Sequence, residues 1–308
     1  QMCIRDRITT AVGPTVLGLI APSIAEGLRR RAAAGSARVP VMACENAINA
    51  TDGLADAIRK VYPEVDEVAF FPNTAVDRIV PNQERRTGAE ALDVTVETYH
   101  EWAVEVEPFA QAGVDVPDIS GITWVDNLAP YITRKLFTVN TGHAATAYFG
   151  KQQGISAISD ALSREEIRGK VAAVLAETKQ LIIEKFDFDP EVQQAYVDKI
   201  LKRFQNPELP DTTDRVGRAP LRKISRNERF IGPAAELAER GFEATSLVEA
   251  VRAALDFDVP EDAESVELQK RLQDAAGDRA ATDSLATELT GIAPEHPLFP
   301  ELSEAFAR

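Results

Sequence analysis

Apolar residues recur along this chain with two different periods. Between residues 8 and 125 they come in short runs, at 8–12, 39–44, 68–71, 92–96, 102–106 and 122–125, and these runs read as strands. The runs at 92–96 and 102–106 alternate polar and apolar positions, as half-buried antiparallel strands do. Helical stretches separate the strands. One is expected over 22–34, and another begins in Asn49-Ala-Thr-Asp-Gly-Leu with Thr51 or Asp52 as its cap. Beyond Leu128 the period becomes helical, with helices expected at 165–186, 190–204, 214–225, 232–240, 246–255, 265–276 and 282–289. Asp189-Pro190 and Asn206-Pro207 mark breaks between them.

The change of period predicts an α/β domain over 8–127 and an all-α domain over 128–308. Alternating strands and helices in the first part fit the second half of a doubly wound, Rossmann-type sheet. Residues 1–7 follow neither period and have no apolar core or cleavage site of a signal peptide; they read as a non-native junction. A glycine-rich dinucleotide fingerprint, G-x-G-x-x-G, is not found: Gly13 to Gly18 has the wrong spacing and a proline inside. The chain is therefore expected to be truncated at its front, a fragment lacking the first part of that sheet.

Composition narrows the function. The 308 residues carry a formal charge of -15, which argues against a nucleic-acid or anionic-membrane surface. No apolar run approaches a membrane span. Two cysteines give no disulfide framework, and three scattered histidines form no metal-ligand spacing, so a cytoplasmic protein without a metal site is expected. Against this acidic background residues 215–229 invert the balance, with six basic side chains and one acidic. Arg218, Arg222 and Arg226 recur every four residues and would share a helix face if Pro220 sits in a first turn. They could hold a phosphate, as could Arg134, or they could pair with the acidic tail.

The densest chemistry lies in Lys135-Leu-Phe-Thr-Val-Asn140-Thr-Gly-His143. On an α-helix these spacings turn about 500° and 300°, so the three polar side chains occupy roughly one third of the circumference. An amine, a carboxamide and an imidazole together suit metal-free alcohol oxidation. A lysine whose pKa is lowered by burial takes the alcohol proton, an asparagine holds the oxygen, and a histidine fixes the alignment. An ordinary polar stripe has the same spacing. Asn46 closes a strand where ligands lie in doubly wound folds, or simply forms a turn. Asp77 follows another strand and pairs with Arg78 or caps a helix.

Six blocks, in order, resemble the polyol-specific long-chain dehydrogenases from Ile8 to about Pro233: ITTAVGPTVLGLIAPSIAEGL, ACENAINATDGL, FPNTAVDRIVP, DVTVETYHEWAVE, VDNLAPYITRKLFTVNTGHAATAYFG and ILKRFQNPELPDTTDRVGRAPLRKISRNERFIGP. The resemblance implies a Rossmann-type domain followed by a helical domain like the C-terminal part of 6-phosphogluconate dehydrogenase. It implies NAD as cofactor, with Thr10, Gly13 and Pro14 beside the nicotinamide or its ribose. Lys135 becomes the general base, Asn46 and Asn140 the pair on the reacting oxygen, His143 the orienting group and Asp77 a neighbour of the lysine. The implied reaction interconverts D-mannitol 1-phosphate and D-fructose 6-phosphate in a monomer or small homo-oligomer. Oxidation of unphosphorylated mannitol, reduction of a hexuronate, and an inactive fragment are the alternatives.

Overall fold

The computed structural model describes residues 6–45, 47, 49–80, 86–208 and 210–307. It divides into two units, Gln1–Val80 with Val94–Ile132 and Pro81–Asp93 with Thr133–Arg308.

The first unit opens with strand β1 (Ile8–Thr10), a 3-10 turn at Pro14–Val16, helix α1 (Leu17–Ala33), strand β2 (Val39–Ala43) and helix α2 (Ala50–Arg59). Strand β3 (Ala69–Phe70) follows, and β1, β2 and β3 form a parallel sheet in that order. Every residue of β2 is buried, as expected of a parallel strand covered on both faces. Pro40 is tolerated in this central strand because of register. Val39 N–H bonds to Val68 O on the β3 side, so the next residue faces β1. The β1 ladder starts only at Ile8 opposite Val41, so the missing N–H costs no ladder bond.

Helix α1 starts five residues before the expected Pro22. Leu17 and Ala21 extend the buried stripe of Ala25 and Leu28 toward the N-terminus, so burial outweighs the bond that Pro22 cannot make. The expected caps of α2 are likewise displaced. Asn49 takes the cap position with φ 51°, and the buried Thr51 hydroxyl instead accepts from Ala43 N–H at 2.9 Å, tying helix to strand.

A second sheet contains β4 (Thr74–Asp77), β5 (Glu101–Glu105) and β6 (Thr123–Val125), with the short helix α3 (Glu107–Ala112) between the last two. β4 pairs antiparallel with β5, Asp77 opposite Glu101, and β5 pairs parallel with β6. The strand expected over 92–96 is not one. Both edges of β5 are occupied, and the alternating run is left outside the ladder with Leu92 92% exposed.

Helix α4 (Ala129–Arg134) runs into a π-helical turn at Lys135–Asn140 and then into α5 (Thr141–Gln152). Around α5 come α6 (Ile158–Ser163), α7 (Glu165–Phe186), α8 (Pro190–Phe204), α9 (Thr213–Gly217), α10 (Pro220–Lys223), α11 (Ile231–Glu239), α12 (Thr245–Leu255), α13 (Ala263–Ala275), α14 (Arg279–Thr290) and α15 (Phe299–Phe306). α5 is the core of the second unit: from Thr141 to Gly150 every residue except His143 is buried. It packs on α6, α7, α9 and α12. α7 and α8 span the expected residues, and Asp189 caps α8 through Glu191 and Val192 N–H, with Pro190 at the first helical position.

The helix expected over 214–225 is broken. Ala219 stands before proline, where α-helical backbone is disfavoured, and adopts φ 59°. Pro220 does open a helix, but Arg218 lies ahead of the break, so Arg218, Arg222 and Arg226 do not share one helix face.

Candidate active site

Lys135 and Asn140 are the first and last residues of the π turn, and both are half-buried. In an α-helix a spacing of five leaves two side chains far apart around the axis; an i→i+5 winding brings residue i+5 nearly over residue i. The turn is built locally. Thr141 N–H reaches back to Leu136 O, and the Thr141 hydroxyl lies 3.0 Å from the same carbonyl and 2.8 Å from Arg229 O. Phe137, Thr138 and Val139 fill the buried side of the turn. The winding returns to α-helix at Thr141, which places His143 one turn beyond Asn140.

The His143 ring stacks on Phe204, centroids 4.7 Å apart and planes within 13°. Its Nε2 lies 3.3 Å from Asp211 Oδ2. Burial pushes the imidazole down to about 4, against the opposing pull of Asp211; Arg215, Lys223 and Arg229 push the same way as burial. His143 is therefore neutral at physiological pH. Asp211 is buried and receives Arg215 through two donors, Nε on Oδ1 at 2.6 Å and Nη2 on Oδ2.

Lys223 is buried, and its ammonium donates to Val216 O at 2.7 Å and to Arg218 O. Burial, then Arg229 and Arg222, push its pKa down to about 7. The cations that act on His143 are thus Arg215, Lys223 and Arg229. These three belong to the basic segment 215–229, but they are not the residues spaced by four. Arg222 pairs with Glu228 at 2.6 Å, Arg226 with Glu239 at 2.8 Å, and Arg218 Nε bonds to Arg215 O. Arg134 is buried, with its guanidinium carbon 4.3 Å from the Tyr196 ring centroid and 5.1 Å from that of Phe188.

In the first unit Asp77 is buried and ends β4 rather than following a strand. Asn46 lies outside the described residues. Its neighbour Glu45 was not anticipated and organises the carboxyl end of the parallel sheet. Buried, it accepts from Thr10 Oγ1 at 2.9 Å, Val12 N–H at 3.0 Å and Gly13 N–H at 2.8 Å. The donors of Thr10 and Gly13 are therefore directed at Glu45, and what this turn offers a ligand is its shape. Gly13 has φ 94°, a backbone state that side chains rarely adopt, with no atom within 4 Å of where a Cβ would be; Pro14 starts the 3-10 turn. An open glycine turn at the carboxyl end of parallel strands fits the nicotinamide end of a dinucleotide.

Residues 1–117 match the mannitol dehydrogenase Rossmann domain, and residues 127–293 match the mannitol dehydrogenase C-terminal domain. The chain belongs to the mannitol dehydrogenase family. The α/β-then-helical order read from the sequence is that of the family. Mannitol-1-phosphate 5-dehydrogenase of Arthrobacter sp. (strain FB24) is 56% identical over 304 residues, 97% of this chain and 76% of the relative. The Emericella nidulans protein of the same name is 50% identical over 99% of this chain and 77% of its own length. The mannitol 2-dehydrogenase of Pseudomonas fluorescens, solved as a ternary complex with NAD and D-mannitol, has the same fold. It aligns with TM-score 0.64 at 20% identity over 93% of this chain, which spans 62% of that one. The matches run along nearly all of this mannitol dehydrogenase family member, which spans about three quarters of the length of these relatives.

Proposed function

We propose that this protein is an NAD-dependent oxidoreductase interconverting D-mannitol 1-phosphate and D-fructose 6-phosphate. The substrate follows the relatives named for that activity at 50–56% identity. For the chemistry the reading is supported by the π turn whose first and last residues are Lys135 and Asn140, one helical turn from a neutral imidazole.

In the oxidation direction neutral Lys135 accepts the proton of the C5 hydroxyl. The Asn140 carboxamide donates a hydrogen bond to that oxygen as negative charge grows on it, and His143 aligns the substrate hydroxyls. NAD, when bound, supplies the acceptor for the hydride leaving C5. Gly13 and Pro14 would form its nicotinamide-side wall, and Thr10 would brace that wall through Glu45. Asn46 and Asp77 are retained in the chemistry on family resemblance. For the phosphate the candidates are Arg134, Arg218, Arg222 and Arg226 together with Arg215, Lys223 and Arg229. The two cysteines support a reducing, cytoplasmic setting.

The test is NADH oxidation with fructose 6-phosphate, fructose, fructuronate and tagaturonate as alternative substrates. A strong preference for the phosphorylated sugar is expected; preference for fructose or a uronate would overturn the substrate while keeping the lysine chemistry. Lys135→Ala should lower kcat about 10²–10⁴-fold with little change in KM. Near-normal turnover of that variant would end the mechanism.

A further inference from the structure

We propose that Asp211 is a positioning residue for this reaction, fixing both the tautomer and the ring orientation of His143 and coupling it to Arg215. The proposal rests on the reading of His143 as part of the dehydrogenase site.

The main chain at Asp211 is held first. Its carbonyl accepts from Ile158 N–H at 3.0 Å, and Thr213 N–H bonds to Ser156 O at 2.8 Å, so the segment is clamped to the entry of α6. The carboxylate is 7% exposed, and each oxygen faces donors. Oδ1 accepts from Thr212 N–H at 3.0 Å and from Arg215 Nε. Oδ2 accepts from Arg215 Nη2 and faces His143 Nε2 at 3.3 Å.

A neutral imidazole has one N–H and one lone pair. With Nε2 3.3 Å from a carboxylate, the Nε2–H tautomer is favoured electrostatically, and Nδ1 then carries the lone pair. The Phe204 stack fixes the ring plane, and Asp211 fixes the rotation within it. Arg215 supplies the carboxylate with two charge-assisted bonds. The charged groups that bear on the ring are Asp211, Arg215, Lys223 and Arg229.

Replacing Asp211 with asparagine makes a specific change. The new NH2 group must face donors on one side or the other. At the Oδ1 position it meets a backbone N–H and a guanidinium N–H, neither of which can become an acceptor. At the Oδ2 position it meets His143, which can. The amide therefore turns its NH2 to His143 and selects the opposite tautomer, Nδ1–H.

The test uses the full chain labelled with 15N-histidine. Only His100, His143 and His296 contribute, and H143Q assigns the resonance. The wild type should give Nε2–H shifts for His143 and D211N should give Nδ1–H shifts, whatever the substrate. In the reaction with fructose 6-phosphate, D211N should lose about 10–100-fold in kcat, with KM within about 3-fold. In the H143A background D211N should cost less than about 2-fold further. An unchanged tautomer in D211N, or an undiminished effect in H143A, overturns the proposal. Inactivity of the wild type on every sugar tested, with the tautomer switch intact, would overturn the functional reading and leave the positioning by Asp211 standing.

Discussion

Glu45→Gln should unlatch the turn that follows β1. The carboxylate takes three donors, two on Oε1 and one on Oε2, all at 2.8–3.0 Å. A glutamine in the same place has one acceptor oxygen and one NH2. If its oxygen takes the Oε1 position, Gly13 N–H is left facing an N–H donor. If the amide flips, the Thr10 hydroxyl can turn to accept from it, but Val12 N–H is orphaned. Either way one backbone N–H loses its partner, and the bonds that remain lose their charge assistance. Such a loss costs about 1.5–3 kcal/mol in a buried setting. Val12 is 48% exposed and Gly13 half-exposed, so water recovers part, and about 1–2 kcal/mol remains. Both tryptophans, Trp102 and Trp124, belong to the first unit, so their emission in a urea titration reports on it. With a slope of about 2 kcal/mol per molar urea, the midpoint should fall by about 0.5–1 M. A shift below about 0.2 M would refute the claim that Glu45 holds this turn.

Gly217→Ala should destabilise the second unit by about 1–3 kcal/mol, read as a lower thermal midpoint. The added Cβ would stand 2.7 Å from Phe257 Cζ, and that buried ring is itself packed edge-on against Tyr148 at 5.4 Å. Acid should weaken the fold through His143. Its pKa is about 4 folded against 6.5 unfolded, so between those values the unfolded chain binds the extra proton and stability falls as pH falls. The loss reaches at most about 3 kcal/mol, since a fifth of the ring is still exposed. Denaturant titrations at pH 7, 5.5 and 4.5 should show the slope flattened in H143Q.

The parts of this molecule governed by a simple period were legible in advance. α7 and α8 follow from long apolar stripes bounded by Asp189-Pro190. The Lys135, Asn140 and His143 constellation was legible as a set of side chains, but its geometry was not. A helical-wheel argument presumes 3.6 residues per turn, and only the Thr141 bonds to Leu136 O reveal the wider winding. Asp211 and Glu45 escaped for another reason. Each acts on a partner far along the chain, and a lone carboxylate near a turn looks the same whether it is solvated or clamped. Arg218, Arg222 and Arg226 do not share the helix face their regular spacing predicts, because the helix beneath them is interrupted at Ala219.

The π turn also changes what sequence variation in this helix would mean. It amounts to one extra residue accommodated within otherwise α-helical backbone. Removing any single residue between 136 and 139 would leave Lys135, Asn140 and His143 all present by type. The helix would then close to the α winding, and the flanking turns would keep their faces, because four residues of α-helix span what five span here. The buried face of α5 would stay against α6, α7 and α9, and the amine and carboxamide, now four apart, would still share a side of the helix. What such a deletion would remove is the widened turn itself, with the Thr141 bonds to Leu136 O that close it.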